Sequence, residues 1–221
     1  MKNFYLAVPL ALAMTGCVDN PPDIQIFNAY IPDAACAVNT SGAASGGGSL
    51  DLSTSSRYLT GLAVRSGVAA TEVVVNDGPL TGGADSAAVY VTHVELNYET
   101  QGTGPTLERE VYPSHFAIPS GAATNSILVV DLLGGNALQT LSNQLSVGSG
   151  VTVNVRVKLI GQTVTGSKAE SNEIAYPVTF YASGFTCDEG TFLLQTGPCG
   201  GTGGQDSFQP ECSEPEEEEV E

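Results

Sequence analysis

The sequence contains 221 residues and carries a formal net charge of −17, because 24 acidic residues are opposed by only seven Lys and Arg. Such a polyanion is repelled by phosphate backbones, so we expect no nucleic-acid partner. Trp is absent and 26 residues are Gly, while Ser, Thr and Val are frequent. This composition favours strands and turns over helices, and we predict an all-β fold.

Residues 1–16 have the pattern of an export signal. Lys2 is the only charge, and the apolar run Phe4–Met14 is too short for a membrane-spanning helix, which needs about 20 apolar residues. The segment Met14-Thr15-Gly16-Cys17 resembles the bacterial lipobox, although that pattern usually has Leu where Met14 stands. The resemblance implies cleavage after Gly16, a diacylglyceryl thioether on Cys17 and acylation of its new amine, which makes the membrane a partner through the N-terminal lipid.

Residues 17–23 are predicted to form a lipid-anchored tether, because they are mostly polar and Pro21 and Pro22 favour extended backbone. In enteric lipoproteins, Asp directly after the lipidated cysteine keeps the protein in the inner membrane. Val18 occupies that position here. The resemblance therefore implies an outer-membrane location, with the folded part on the periplasmic or cell-surface side.

Residues 24–185 are predicted to form a single β domain that begins with several short strands. The first strand covers 24–31, with Ile24, Ile26 and Asn28 on one face, and residues 39–49 form a flexible Gly/Ser/Ala loop. Strands at 58–64 and 71–75 follow, and the second of these stops at the turn signal Asn76-Asp77-Gly78-Pro79.

The clearest strand covers 88–99. Its alternation places Tyr90, Thr92, Val94, Leu96 and Tyr98 on one face and Val89, Val91, His93, Glu95 and Asn97 on the other. Strands at 107–112 and 115–118 follow, separated by Pro113, and a buried strand covers 126–133.

One short helix is predicted at 136–146, where Leu138, Leu141 and Leu145 share a face and Asn136 can cap the first turn. After it, the strand at 151–160 alternates buried Val and Leu with wet residues. A polar loop at 161–171 leads to a last strand at 173–181, and we expect these two strands to pair as a hairpin.

Short strands with turn signals between them predict an antiparallel β-sandwich of the immunoglobulin or fibronectin III kind. The stretch from Ile118-Pro119-Ser120 through the helix to Tyr176-Pro177-Val178 also resembles the late-embryogenesis-abundant type of sandwich. The lipobox, the segment 58–65 and Ser171-Asn172-Glu173 make the chain similar to uncharacterised myxobacterial lipoproteins. That group has no assigned activity, so the resemblance bears on location and fold.

Residues 186–212 are predicted to be a Cys/Gly-rich tail packed on the sandwich, and residues 213–221 a disordered acidic end. With Cys17 lipidated, four cysteines remain for two disulfides in an oxidising compartment, and three pairings are open. A metal or redox site is disfavoured, since no CxxC motif occurs and no His lies near these residues in sequence. The four cysteines are Cys36, Cys187, Cys199 and Cys212.

No catalytic constellation is recognisable in the sequence. Only His93 and His115 can serve as the usual general base, no Gly-x-Ser-x-Gly elbow occurs, and Ser114 points away from its neighbour His115 on a strand. His93 and Glu95 share a face and can share a metal or a proton. The alternative, which we favour, is a solvated face on which Glu95 meets Arg156 or Lys158 across the sheet.

Calcium is the most plausible metal alternative, with Asp77 and Asp85 as candidate ligands in loops that bound strands. Calcium needs six to eight oxygens and no EF-hand spacing is present, and turn chemistry explains these residues without a metal, so we predict no metal site. We predict no cofactor.

The sequence therefore predicts a membrane-anchored lipoprotein that acts as a non-enzymatic display or protein-interaction module of the cell envelope. A protein partner would bind an exposed sheet face, the loops at one end or an edge strand. The alternatives are a subunit of an envelope adhesion or secretion assembly, and a carbohydrate-binding or hydrolytic envelope domain.

Overall fold

The computed structural model describes residues 22–68, 88–120, 125–199, 201, 203–206 and 208–214, together with the backbone of 74–75 and 78–79. β-strands make up 46% of these residues, and one helix makes up 6%. The elements are β1 (Ile24–Tyr30), β2 (Gly48–Asp51), β3 (Leu59–Ser66), β4 (Val74–Val75), β5 (Gly78–Pro79), β6 (Val89–Thr100), β7 (Glu110–Ile118), β8 (Ser126–Asp131), α1 (Gly135–Gln144), β9 (Gly150–Thr163), β10 (Lys168–Glu170), β11 (Ile174–Tyr181), β12 (Phe192–Leu193) and β13 (Cys212–Ser213).

Two sheets make up the body of the protein. The smaller has the strand order β1-β3-β8, and the larger has the order β2-β11-β9-β6-β7, with β10 also beside β9. The larger sheet curls into half a barrel. Nearly all pairs are antiparallel as predicted, but β2 runs parallel to β11, which the purely antiparallel prediction missed.

One apolar core joins both sheets. It contains Ile26 and Leu62 of the smaller sheet together with Val94 and Phe180 of the larger one. The predicted alternation of β9 is confirmed, because Val151, Val153, Val155, Val157 and Leu159 are all buried. In β3, by contrast, every residue from Leu59 to Val64 is buried, so neither of its faces is open to solvent.

Two β-bulges overturn the predicted faces of β1 and β6. In β6 the register shifts between Val91 and His93, so Val89 and Val91 are buried and Tyr90 is exposed. In β1 a shift between Ile26 and Asn28 leaves Asn28 exposed. An extra residue in one strand reverses the alternation of inward and outward side chains beyond it. No residue type in either strand predicts the bulge.

Four segments that were predicted as loops, turns or breaks are strands instead. Pro113 lies inside a continuous β7, at the register shift opposite His93, where a missing N–H is tolerated. Gly48 and Ser49 belong to β2, not to a flexible loop. Lys168–Glu170 pairs with β9 within the predicted loop 161–171, and Gly78–Pro79 pairs with β4.

Helix α1 is capped from outside its own sequence. Gly134, not Asn136, is the N-cap residue, and it makes no side-chain capping bond. Glu110 of β7 instead accepts hydrogen bonds from the backbone N–H groups of Asn136 and Ala137, at 3.2 and 2.9 Å. A carboxylate suits this place because free N–H groups and the helix dipole both favour negative charge.

The protein has two ends, which we call the entry end and the tail end. At the entry end β1 begins, β3 ends, and the hairpin between β9 and β10 turns beside the start of β6. At the tail end β3 begins, β11 ends beside the start of β9, and the tail from residue 186 packs against β2. The described chain starts at Pro22, at the entry end.

Candidate functional site

Both predicted disulfides form, and the structure selects one of the three open pairings. Cys36 is bonded to Cys199 and Cys187 to Cys212. The first bond joins the loop after β1 to the tail, and Cys199 N–H also donates to Ala34 O at 3.1 Å. The tail is therefore held covalently at the tail end.

The tail is also held by a buried glutamine. The Gln205 side chain accepts a hydrogen bond from Leu59 N–H at 2.9 Å and donates one to Leu59 O at 2.7 Å. Gln205 is buried, and its backbone bridges Leu50 of β2. Since β1 pairs with β3 only as far as Gly61, this amide satisfies backbone groups of β3 beyond the end of β1.

The residue after Gln205 closes a buried network of hydroxyl groups. Asp206 accepts hydrogen bonds from Ser49 N–H at 2.9 Å and from the Tyr58 hydroxyl at 3.2 Å. The Tyr58 hydroxyl also lies 3.2 Å from that of Tyr176, which reaches Ser45 at 2.6 Å. Burial raises the pKa of Tyr58, and its bond to Tyr176 raises it further, so Tyr58 stays protonated as the donor to Asp206.

A buried carboxylate organises the turn after β2. Asp51 is only 4% exposed, and it accepts backbone hydrogen bonds from Ser53 and Ser183 at 3.0 Å each, and one from the Ser183 hydroxyl. Burial opposes ionisation of Asp51, but these hydrogen bonds outweigh it and lower the pKa. Asp51 therefore remains charged and fixes the turn that follows it.

These contacts build the walls of an open cleft of about 470 Å³ at the tail end. One wall is the turn from Leu52 to Arg57, in which Ser56 is exposed, while the hydroxyl groups of Ser53 and Ser55 also bond within the protein and Thr54 is buried. The opposite wall is the tail, with Gln195, Pro198, Cys199, Gly201 and Gln205. The exposed lining offers the hydroxyl of Ser56 and the amide of Gln195, and Arg57 adds a positive charge.

The Arg57 side chain is exposed, and an ion pair with Asp131 holds it in place. Its side chain is 59% exposed, and its Nε lies 3.2 Å from Asp131 Oδ2. Burial raises the pKa of Asp131, although backbone hydrogen bonds from Leu133 and Tyr58 and the Arg57 guanidinium partly offset this. Because Asp131 engages only the Nε edge of the guanidinium in this contact, the remaining donors of Arg57 can bind a carboxylate.

The predicted pair His93 and Glu95 lies far along the larger sheet, away from this cleft. His93 is exposed, and its Nδ1 lies 3.0 Å from the hydroxyl of its neighbour Thr92. Glu95 lies opposite Lys158 in register, but its ion pair is with Arg109 at 2.6 Å. Glu95 thus forms its ion pair with a residue other than the predicted Arg156 or Lys158. The nearby Arg156 pairs with Glu99 and Glu173 instead.

The remaining candidates lie either on β7 or outside the described residues. Ser114 is partly buried and His115 exposed on β7. Cys17, Asp77 and Asp85 lie outside the described residues, so the lipidation and calcium predictions stay predictions. Within the described ranges, no group of three His, Cys, Asp or Glu could hold a metal ion, and no helix there is long and apolar enough to cross a membrane.

No family model, curated protein or solved structure matches the chain.

Gln205, Asp206, Asp51 and Tyr58 are the residues that sequence reasoning missed. Each acts through partners more than a hundred positions away, so no local pattern marks them. The one available signal was a polar Gln-Asp pair inside a glycine-rich segment that was otherwise read as irregular.

Proposed function

We propose that this protein is a lipoprotein, held in the outer membrane by acylated Cys17, whose tail end is a non-enzymatic protein-interaction site. The cleft between the Leu52–Arg57 turn and the tail is the observation that carries the proposal. Both of its walls are fixed in place, by Asp51 on one side and by Gln205 and the Cys36–Cys199 bond on the other. Preformed walls lower the entropy cost of binding a partner.

The chemistry of the cleft suits a polar polypeptide segment that carries a carboxylate. The exposed Ser56 hydroxyl and Gln195 amide can pair with the backbone of such a segment, and Arg57 favours its negative charge. The two disulfides are in keeping with folding in an oxidising compartment, which supports export. The export signal, the acylation and the outer-membrane location rest on the sequence pattern of residues 1–18.

We further propose that the two sheets form the layers of an immunoglobulin or fibronectin III-like sandwich. The support for this arrangement is the single apolar core that both sheets share. The parallel β2–β11 pair and the curl of the larger sheet are departures from that fold.

The partner site is tested by comparing Arg57→Gln with Arg65→Gln in the full chain. Arg65, at the entry end, bonds to Gln25 and lies over the Phe27 ring, so its loss is a matched loss of charge away from the cleft. After gentle crosslinking in the producing cell, we expect one stoichiometric partner with the unaltered and Arg65→Gln chains. We expect at least tenfold less of this partner with Arg57→Gln. Loss of the Arg57 charge should weaken binding by at least about 1.4 kcal/mol, which corresponds to tenfold in affinity.

Equal recovery with both variants, or no partner at all, would contradict the cleft as the binding site.

The anchor is tested separately by Cys17→Ser. That variant should leave the membrane fraction, and its retention there would refute the lipid attachment.

A further inference from the structure

The position of Pro22 restricts the orientation of the anchored protein relative to a membrane. Asp23 O accepts a hydrogen bond from Gly67 N–H at 2.7 Å, which fixes the start of the described chain to the end of β3. Five residue steps separate Cys17 from Pro22, and they span at most about 18 Å when fully extended. The entry end therefore stays within that distance of a lipid attached to Cys17.

The tail end lies beyond the reach of such a tether. Between the tail end and the entry end, β3 contains 8 residues and β9 contains 14, which at about 3.3 Å per residue step correspond to roughly 23 Å and roughly 43 Å. The sequence that follows the tail is strongly acidic, with Glu at 211, 214, 216–219 and 221. Anionic lipid surfaces repel such a segment, so charge also favours keeping the tail end away from the membrane.

The entry end exposes two side chains that suit a lipid–water boundary. Tyr90 and Val164 are each 46% exposed. Val164 sits at the tip of the β9–β10 hairpin, where its N–H donates to Ala88 O at 3.3 Å, and Tyr90 pairs with Gln162. The two side chains thus come from neighbouring strands, and Tyr is favoured at bilayer interfaces because its ring is apolar and its hydroxyl polar.

We propose that the entry end, through Tyr90 and Val164, contacts the lipid bilayer that holds acylated Cys17, and that the tail end with its cleft points away from it. This inference rests on the lipid anchor of the proposed function. It adds an orientation and a lipid-contact surface.

The absence of Trp from the chain allows a direct test with variants that each carry one Trp. Tyr90→Trp and Val164→Trp place the probe at the entry end, and Phe192→Trp places it at a residue of the tail that is 63% exposed. The acylated full chain is reconstituted in phosphatidylcholine–phosphatidylglycerol vesicles with brominated acyl chains, and flotation checks that it is bound. The same variants with Cys17→Ser serve as unanchored controls.

We expect the indole emission of the Tyr90→Trp and Val164→Trp variants to shift to the blue and to lose intensity on brominated vesicles, with no change for Phe192→Trp. If the protein floats with the vesicles but Phe192→Trp is the quenched variant, or none is quenched, the orientation is wrong while the anchor stands. If the acylated protein does not float, the anchor fails, and the orientation fails with it.

Discussion

At the scale of single residues, Asp51 ties together three segments that are distant in sequence. Its carboxylate receives hydrogen bonds from Ser53 and Ser183, and its own N–H donates to Gly204 O at 2.9 Å. The turn after β2, the end of β11 and the tail therefore meet at one buried charge. An ionised acceptor makes stronger hydrogen bonds than a neutral one, so the charge state of Asp51 affects the stability of the tail end.

We expect the contribution of Asp51 to depend on pH. Burial acts to raise its pKa, but the hydrogen bonds from Ser183 and Ser53 bring it below the ordinary value of 3.8. The unfolded chain therefore binds the proton more tightly, and the stabilisation is fully present above pH 3.8 and lost as the pH falls through the folded pKa. In urea unfolding, Asp51→Asn should cost about 1.5–3 kcal/mol at neutral pH, and the difference should shrink below pH 3.8.

Asp188→Asn is the matched control, because it removes the same charge from an exposed position and should change stability little. A difference between Asp51→Asn and the unaltered chain that stays constant across the acid range would contradict this account.

At the scale of elements, sequence patterns predicted strands well where no bulge intervened. The alternation of β9 was read correctly because its Val and Leu residues keep a period of two along the whole strand. β6 follows the same rule on either side of Thr92, yet one extra residue there reversed the face of Tyr90. A bulge depends on the partner strands, and a single strand's sequence does not contain them.

The pairing of β2 shows the same limit for a weak element. Gly48-Ser49-Leu50-Asp51 has little strand propensity, and it becomes a strand because β11 lies on one side and the tail on the other. Likewise, the cysteine content predicted two disulfides, but not their pairing. The cleft was outside prediction altogether, since its walls are separated by more than a hundred residues.

The docking of the tail on β2 requires glycine at position 48. A Cβ there would overlap the hydroxyl of Tyr58 and the Oδ1 of Asp206, so Gly48→Ala must displace the bond between them. We expect a loss of about 1–3 kcal/mol from overpacking, measured by thermal or denaturant unfolding.

The matched control is Gly46→Ala, two residues earlier, where a Cβ would meet no atom within 4 Å. It should leave stability unchanged or slightly raised. Equal effects of the two substitutions would show that the Tyr58–Asp206 contact does not hold the tail.

At the scale of the whole molecule, the two disulfides act over very different lengths of chain. Cys36–Cys199 closes a separation of 163 residues and Cys187–Cys212 one of 25. A longer closed loop removes more entropy from the unfolded chain. The first bond therefore restrains the whole molecule, and the second restrains mainly the tail.

Paired Cys→Ser replacements should reflect this difference. Loss of Cys36–Cys199 should cost about 5 kcal/mol and loss of Cys187–Cys212 about 3.5 kcal/mol by chain entropy. Guanidinium unfolding of the two double variants gives the order directly, and the reverse order would mean that native-state contacts of the tail outweigh loop closure.

The two side-chain amides that bind strand backbone have a consequence for protein crowded at a surface. Asn172 accepts from Ile26 N–H at 2.8 Å and donates to Ile26 O at 3.0 Å on the outer edge of β1, as Gln205 does for Leu59. An open strand edge is a template for aggregation into fibrils. These amides occupy the N–H and C=O groups on which a neighbouring molecule would begin to polymerise, so the protein can be packed densely without forming cross-β deposits at those two positions.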